Sequence, residues 1–228
     1  AIPMPFIPLN NEVRNDADLV LVVGSRLGET DWWGKAPYWR HPSEQKMVQV
    51  DIDAQILGAN KPATIAAQAD AKAFLAALAV ELERHRGRMN HDARRRQLAQ
   101  YHEIIRAERA KLDEKLGDLD VPMNPAHVAH VCQQVFPEDA VLVADGGNAA
   151  VWTMMFHHMR VPNTLLSTFK FGMLGAGVAQ ALGAAIARPG TPVCCIIGDG
   201  AMGFHPQEVE TAVRNGLRVV YVVVCDRQ

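Results

Sequence analysis

The sequence predicts an α/β protein made of two doubly wound units, each built on a parallel sheet. Short apolar runs, such as residues 18–24 and 193–197, end at a glycine or lead into a Gly-Asp-Gly turn. Continuous apolar runs of this length are typical of strands that are buried on both faces of a parallel sheet. Stretches with helical periodicity separate these runs, and the alternation favours sheets whose sites lie at the carboxyl ends of the strands.

The composition indicates a globular chain and argues against several classes of partner. Of the 228 residues, 49% are apolar, and the formal net charge is −2. A core can therefore form, and no electrostatic feature favours nucleic acid or an anionic membrane. No apolar run is long enough to cross a bilayer. The basic cluster at residues 84–96 is surrounded by acids and helix signals, which favours a solvated helix surface over a polyanion site.

The cysteine pattern favours a reducing compartment, and we expect a cytoplasmic protein. None of the cysteines forms a Cys-x-x-Cys pair, and two of them are adjacent within a strand-like run. Such a pattern predicts core packing rather than disulfides or a zinc site. The four residues are Cys132, Cys194, Cys195 and Cys225.

Residues 1–86 are interpreted as the later part of a doubly wound domain. Strands are predicted at residues 18–24 and 47–53, and Asp70 is placed to cap the helix that follows. The apolar stripe of that helix consists of Phe74, Leu75, Leu78 and Leu82. Two strands are too few for a whole sheet, and residues 1–8 resemble a loop entered midway. We therefore expect the chain to be an internal piece of a longer polypeptide.

Residues 87–124 are predicted to form a charged helical linker. Asp92 can cap its helix, which ends near Gly117. The apolar positions of this helix are Leu98, Tyr101, Ile105, Leu112 and Leu116. The mixed charges elsewhere on the helix indicate that its other face is in water.

Residues 125–228 alternate regularly between strand and helix patterns. Strands are predicted at residues 140–144, 164–168, 193–197 and 218–225. Helices are predicted at residues 125–134, through Trp152, at 175–187 and at 206–215. This order predicts a second parallel sheet whose strand ends converge at one edge.

Three of those strand ends carry residues that suit a metal-bound diphosphate group. Asp199 lies within Gly198-Asp199-Gly200, and Asp226 follows the next strand. Carboxylates are hard ligands that suit Mg²⁺, and the glycines of Asp145-Gly-Gly-Asn148 allow backbone N–H groups to approach a phosphate. The alternative interpretation of Gly-Asp-Gly is a simple turn in which Asp199 caps a helix.

With these motifs the chain resembles the thiamine diphosphate (ThDP) enzymes, especially their acetolactate synthase-like and 2-oxo-acid decarboxylase branch. The segment Asp145-Gly-Gly-Asn-Ala-Ala-Val-Trp152 is similar to that family's diphosphate-contacting loop. Residues 171–183 are similar to the stretch that runs under the cofactor, and residues 17–78 to the family's middle domain. The likeness implies part of a middle domain at 1–86 and an incomplete diphosphate-binding domain at 125–228.

The resemblance also implies a set of site residues. Mg²⁺ would be bound by the carboxylates of Asp199 and Asp226 and by the backbone carbonyl of Gln228. Leu174 would support the thiazolium ring and keep ThDP in its bent shape. The diphosphate would lie against Gly147, Asn148, Ala149, Gly198, Gly200 and Ala201.

Several residues near these motifs have simpler interpretations. Leu174 on its own is an ordinary core residue, and Trp152 is expected to serve packing. His205 suits the start of a helix, and His157 and His158 are expected to face solvent at a helix end.

Two acidic positions also have structural interpretations. Glu208 suits a helix N-terminus because of its charge. Asp51 and Asp53 end a strand where the resemblance allows FAD or ADP, but the sequence does not support a nucleotide there over a simple turn.

Two departures from the family pattern bear on cofactor binding. Cys225-Asp226 stands where the family carries a pair of asparagines, which adds one negative charge at the metal and removes an amide. Two carboxylates and a diphosphate exceed the charge of one Mg²⁺, so we expect weaker cofactor binding unless a cation compensates. No residue of the chain matches the activating glutamate, which the family places in a separate pyrimidine-binding domain. We therefore name no catalytic acid–base residue and expect this chain alone to be inactive.

The activity implied by the resemblance is the making or cleaving of a C–C bond next to a carbonyl, as in a transferase or a lyase. The substrate would be a small 2-oxo acid or acyl compound. The implied partner is a pyrimidine-binding domain, from the parent chain or from another subunit, within a homo-oligomer. Two alternatives stay open, which are a non-catalytic nucleotide-binding or assembly module and one subunit of a split ThDP enzyme.

Overall fold

The computed structural model describes residues 7–88, 90–168 and 171–225. Contacts divide the chain into two compact units, with the division between Glu108 and Arg109. That division falls inside the helix that the sequence interprets as a linker, and the domain bounds 1–86, 87–124 and 125–228 remain a prediction. Each unit is described by itself below.

The first unit contains a parallel sheet of three strands in the order β1-β2-β3. The strands are β1 (Leu19–Val23), β2 (Lys46–Asp51) and β3 (Ile65–Gln68). Two of them were predicted, whereas β3 was missed because it spans only four residues and has no long apolar run. Helices α1 (Ile7–Asp16) and α2 (Ala71–Arg84) flank the sheet in sequence.

The expectation that the first strand is buried on both faces is wrong. Leu19 is 52% exposed and Leu21 is 40% exposed, whereas Val22 is buried with Met47 and Trp39. The side chains of β1 alternate between a packed face and an open one, because successive side chains of a strand point to opposite faces. This burial pattern is that of a half-covered strand.

Two of the helices begin at polar caps. The Ala73 N–H donates to Asp70 Oδ1 at 2.9 Å, which confirms the predicted cap of α2. Helix α3 (His91–Asp113) is capped by Asn90, whose Oδ1 accepts from the Ala93 N–H at 3.0 Å. Asp92 therefore does not cap α3, and it pairs with Arg95 on the helix surface instead.

The second unit is a parallel sheet of four strands in the order β5-β4-β6-β7. Its strands are β4 (Val141–Ala144), β5 (Leu165–Ser167), β6 (Val193–Gly198) and β7 (Val219–Val224). Its helices are α4 (Ala126–Val135), α5 (Asn148–Phe156), α6 (Ala176–Ala187), α7 (Asp199–Met202) and α8 (Glu208–Arg214). The predicted α/β class with parallel sheets is confirmed.

Apolar clusters cover both faces of the second sheet. One cluster places α6 against β4 and β6 through Val178, Val143 and Ile197. The other places α4 and α5 against the opposite face through Ala129, Phe156 and Leu142. Because β4 and β6 are buried on both sides, their sequences are apolar at nearly every position.

Candidate functional site

Three loops meet at the carboxyl edge of the second sheet. Ala144 pairs with Ile196 and Gly198 pairs with Val224, so β4, β6 and β7 end at the same edge. The loops are residues 145–148 after β4, residues 171–175 before α6, and residues 198–204 around α7. The predicted convergence of the ends of β4, β6 and β7 is present in the fold, although Asp226 itself lies outside the described residues.

Asp145 fixes the relation between the first two loops. Its side chain is buried, and Oδ1 accepts the Gly175 N–H at 3.1 Å while Oδ2 accepts the Gly177 N–H at 2.9 Å. The Gly146 N–H also donates to this carboxylate. Both oxygens are thus occupied by the protein, and Asp145 is a positioning residue at the start of α6. The sequence indicated only a phosphate loop here, although the glycines at 175 and 177 were the available signal.

Glycines at the start of α6 are required by close approach. A Cβ on Gly177 would lie 2.8 Å from Oδ2 of Asp145. Gly175 has a φ of +83°, and a Cβ there would lie 2.6 Å from Cβ of Phe204. Only glycine fits the space at both positions, and Gly175 also has a left-handed backbone. These two residues therefore hold the loop before α6 against the loop after β4 and the loop around α7.

Leu174 lies against the glycines of the first loop. Its Cδ2 is 3.0 Å from the position that a Cβ on Gly146 would take, and 3.6 Å from that on Gly147. The side chain is still 40% exposed, so it is not an ordinary core residue. Leu174 therefore presents an apolar surface at this edge of the sheet.

Asp199 begins α7 and offers an exposed carboxylate. Its Oδ1 accepts the Gly200 N–H at 2.7 Å. The thiol of Cys225 donates a hydrogen bond to the carboxylate and lowers the pKa of Asp199, and the Gly200 N–H adds to this effect. Sequence reasoning noted only the amide that Cys225 lacks, whereas the structure gives its thiol a donor role.

The Gly-Asp-Gly turn borders open space. A Cβ on Gly198 or on Gly200 would meet no atom within 4 Å. The other two predicted metal ligands, Asp226 and Gln228, lie outside the described residues. Of the predicted ligand set, the structure thus describes Asp199.

The remaining predicted contact residues divide into exposed and buried positions. Gly147, with a φ of +71°, precedes α5 and is exposed, as is Asn148. Ala149 and Ala201 are buried in the two apolar clusters of the unit. The alanine side chains therefore face the core, and only their backbone atoms are placed to approach a ligand.

Most of the histidines and acids away from the carboxyl edge of the second sheet have surroundings that indicate a structural role. His157 is half-buried, and its Nδ1 has no hydrogen-bond partner among the described residues, so the expected solvent-facing position is wrong for His157. Asp51 and Asp53 each accept a backbone N–H within the turn after β2, at 3.0 Å and 2.9 Å respectively. Trp152 stacks on Phe156 with ring centroids 5.9 Å apart, as expected for a packing role.

In the part of the chain that the structure describes, no helix is long and apolar enough to cross a membrane.

Two family models match the chain. Residues 4–78 match the central domain of thiamine pyrophosphate enzymes, and residues 145–228 match their C-terminal TPP binding domain. Together the two matches cover more than half of the chain, in the order that the sequence motifs implied.

Curated relatives match across nearly the whole chain. A 2-hydroxyacyl-CoA lyase 2 from Danio rerio is 33% identical over 97% of this chain and 35% of the relative. A sulfoacetaldehyde acetyltransferase from Castellaniella defragrans is 28% identical over 93% of this chain and 38% of the relative. The acetolactate synthase isozyme 1 large subunit from Escherichia coli (strain K12) is 26% identical over 94% of this chain and 36% of the relative. The chain thus spans a little over a third of the length of these relatives.

Proposed function

Since the chain belongs to the thiamine pyrophosphate enzyme family, we propose that it forms the cofactor-holding part of an enzyme that makes or cleaves a C–C bond next to a carbonyl. The central and C-terminal domains of this family imply ThDP, typically with Mg²⁺. When bound, this cofactor supplies an electron sink for carbon–carbon chemistry. The protein's part is to bind it, orient it and shape the surrounding space.

The described residues fit a metal-bound diphosphate. Asp199 presents an exposed carboxylate whose pKa is lowered by the Cys225 thiol, so the charged form that binds a metal is favoured. The space over Gly198 and Gly200 is open, as close approach of a phosphate to backbone N–H groups requires. The single observation that carries the proposal is this open Gly-Asp-Gly turn beside two further loops at one sheet edge.

We assign roles on this basis as part of the proposal. Asp199, Asp226 and the Gln228 carbonyl would bind Mg²⁺, while Gly147, Asn148, Gly200 and the backbone at Ala149 and Ala201 would line the diphosphate. Leu174, fixed against the first loop, would support the thiazolium ring of the cofactor and exclude water beside it. Asp145 would act indirectly, by holding the glycine loop in place.

The substrate and the assembly are further parts of the proposal. The relatives' names include an acetyltransferase, a lyase and a synthase, which supports a small 2-oxo acid or acyl substrate. A pyrimidine-binding domain, on the parent chain or on another subunit, would supply the activating glutamate within a homo-oligomer. The described cysteines are all unpaired, which supports the proposed cytoplasmic location.

Calorimetry of cofactor binding tests the proposal. We expect ThDP to bind in the presence of Mg²⁺ and not when the metal is chelated. Asp199→Ala should abolish this binding because it removes a metal ligand, whereas Asp139→Ala, an exposed aspartate before β4, should leave it intact. Equal binding by wild type and Asp199→Ala would reject the metal assignment.

One observation favours a second candidate, a non-catalytic module that has lost ThDP. Cys225-Asp226 replaces an asparagine pair and adds a charge at the proposed metal. If no ThDP binds at any Mg²⁺ concentration while the chain is folded, this second candidate replaces the first.

A further inference from the structure

The second unit holds a cavity of about 700 Å³ at the amino ends of β4 and β6, the end of the sheet opposite the proposed cofactor edge. Apolar side chains form its walls, among them Phe136, Leu142 and Phe156. The size is that of a pocket for a small molecule. The cavity is therefore a way for small reagents to reach residues that otherwise lie in the core.

Two ion pairs lie around this cavity. Arg109 forms an ion pair with Asp113, and Arg160 forms one with Glu138. His130 shares a hydrogen bond with Gln134. His157 and His158 line the cavity as well, and Nδ1 of His157 has no hydrogen-bond partner among the described residues.

Two thiols remain in the lining, and they contact each other. Cys132 on α4 and Cys194 on β6 both line the cavity and belong to the same apolar cluster. The Cys194 S–H donates a hydrogen bond to the Cys132 sulfur, which lowers the pKa of Cys132 and raises that of Cys194. The two thiols are therefore neighbours on α4 and β6 in the wall of one cavity.

The next residue along β6 provides an internal contrast. Cys195 points to the opposite face of the sheet, lies in the other apolar cluster and does not line the cavity. Burial raises the pKa of Cys195 to about 12. Two adjacent and equally buried cysteines therefore have different surroundings, and only one of them has a thiol partner.

We propose that Cys132 and Cys194 form an oxidisable dithiol that hydroperoxides reach through the cavity and convert to a disulfide joining α4 to β6. In the first step the Cys132 sulfur attacks one peroxide oxygen, an S–O bond forms, the O–O bond breaks, and an alcohol or water leaves with the thiol proton. In the second step the Cys194 sulfur attacks the sulfenic sulfur, an S–S bond forms, the S–O bond breaks, and the hydroxide leaves as water with the proton of Cys194. Two thiols are oxidised and one peroxide is reduced.

Thiol counting on the whole chain tests the proposal. The reduced protein is treated with hydrogen peroxide, unfolded, and alkylated, and its intact mass is measured. We expect Cys132 and Cys194 to lose alkylation together, so that the number of alkylated cysteines falls from four to two, or to one where Cys225 is oxidised as well, with the disulfide in the monomer on a non-reducing gel. In urea the same cross-link should form at about one tenth of the rate or below, because the fold no longer holds the two thiols together.

Variants distinguish the assigned pair from its neighbours. Cys132→Ser and Cys194→Ser should lose the cross-link, whereas Cys195→Ser, the matched control from the same strand, should keep it. The exposed Cys225 reports that peroxide reached ordinary thiols. The proposal is overturned if Cys225 is oxidised while the other three thiols stay alkylatable, if Cys195→Ser loses the cross-link, or if pairing is as fast in urea. Because the wild type and Cys195→Ser alone decide between these outcomes, poor folding of the other variants leaves the test intact.

Discussion

At the scale of single residues, the proposed site depends on positions where a side chain or its absence fixes the backbone. Asp145 uses both carboxylate oxygens to hold Gly175 and Gly177, and a Cβ on Gly177 would lie 2.8 Å from Oδ2. In the sequence, Asp145 is only an acidic residue next to a glycine-rich loop. Its role became visible only through its burial and its partners, since an acid that is inside the protein must have its charge compensated.

Gly177→Ala should destabilise the second unit. The new methyl group would push against the buried Asp145 carboxylate, and we expect a loss of about 2 kcal/mol in the free energy of unfolding. Urea denaturation followed by circular dichroism measures this. Gly183→Ala in the same helix is the control, because a Cβ there meets no atom within 4 Å, and it should stabilise by about 0.5–1 kcal/mol. Equal effects of the two changes would contradict the role given to Asp145 and Gly177.

At the scale of secondary structure elements, helix ends decide several differences between expectation and structure. The sequence placed the cap of α3 at Asp92, but the fold uses Asn90. Both residue types cap helices well, and they are only two positions apart. Which one caps depends on where the chain leaves the preceding turn, and pattern alone does not determine that point.

Asn90→Ala should lower stability more than Asp92→Ala. Loss of the cap leaves the Ala93 N–H without its acceptor and should cost about 1 kcal/mol. Loss of Asp92 removes an exposed surface pair with Arg95 and should cost less than about 0.5 kcal/mol. Thermal unfolding followed at a helix-sensitive wavelength compares the two variants. A larger effect for Asp92→Ala would restore the cap that the sequence suggested.

The end of α5 provides a pH-dependent test. His157 is half-buried, and burial lowers its pKa below the ordinary value of 6.5, with a further lowering from His158. The folded protein therefore resists protonation of His157, while the unfolded chain takes up the proton as pH falls below 6.5. This contribution to stability is present above that pH and decreases below it.

We expect His157→Gln to flatten the loss of stability on acidification. Urea midpoints measured from about pH 7 to about pH 5 should fall less steeply in this variant than in the wild type. His102→Gln, an exposed position on α3, serves as the control for removing an imidazole. An unchanged slope in His157→Gln would show that the buried ring does not govern the acid sensitivity.

At the scale of the whole molecule, the chain matches two domains of the thiamine pyrophosphate enzymes and spans a little over a third of the length of its relatives. The matched central and TPP-binding domains account for a folded scaffold and a cofactor edge. The resemblance places the glutamate that activates ThDP in a pyrimidine-binding domain, and neither matched domain is that one. We therefore expect this chain to bind the cofactor and not to turn over a substrate.

The chain by itself should bind ThDP without catalysing turnover. With pyruvate, ThDP and Mg²⁺ we expect carbon dioxide release no faster than in the absence of protein, while calorimetry still detects the cofactor. A full-length relative of the acetolactate synthase type serves as the positive control for the assay. Release above background that disappears in Asp199→Ala would contradict the expectation and locate an activating group within this chain.

The sequence alone determined the fold class and the edge of the sheet where the site should lie. The strands of the second unit were predicted because β4 and β6 are buried on both faces and are therefore apolar throughout. Such a continuous apolar run can be recognised from the neighbouring residues alone. Gly175, whose φ is +83°, likewise meets a local backbone requirement. Predictions based on such local constraints agree with the structure for the second sheet and for the cap at Asp70.

The tertiary structure decided what depends on distant partners. Four interactions join residues that are far apart in the chain. They are the hydrogen bonds from Gly175 and Gly177 to Asp145, the contact of Leu174 with Gly146, the hydrogen bond from Cys225 to Asp199, and the contact of Cys132 with Cys194. The exposure of Leu19 and Leu21 likewise depends on which face of β1 other elements cover. Periodicity reports which residues prefer the interior, but only the folded arrangement determines which atoms meet there, because close packing depends on the shape and position of every neighbour.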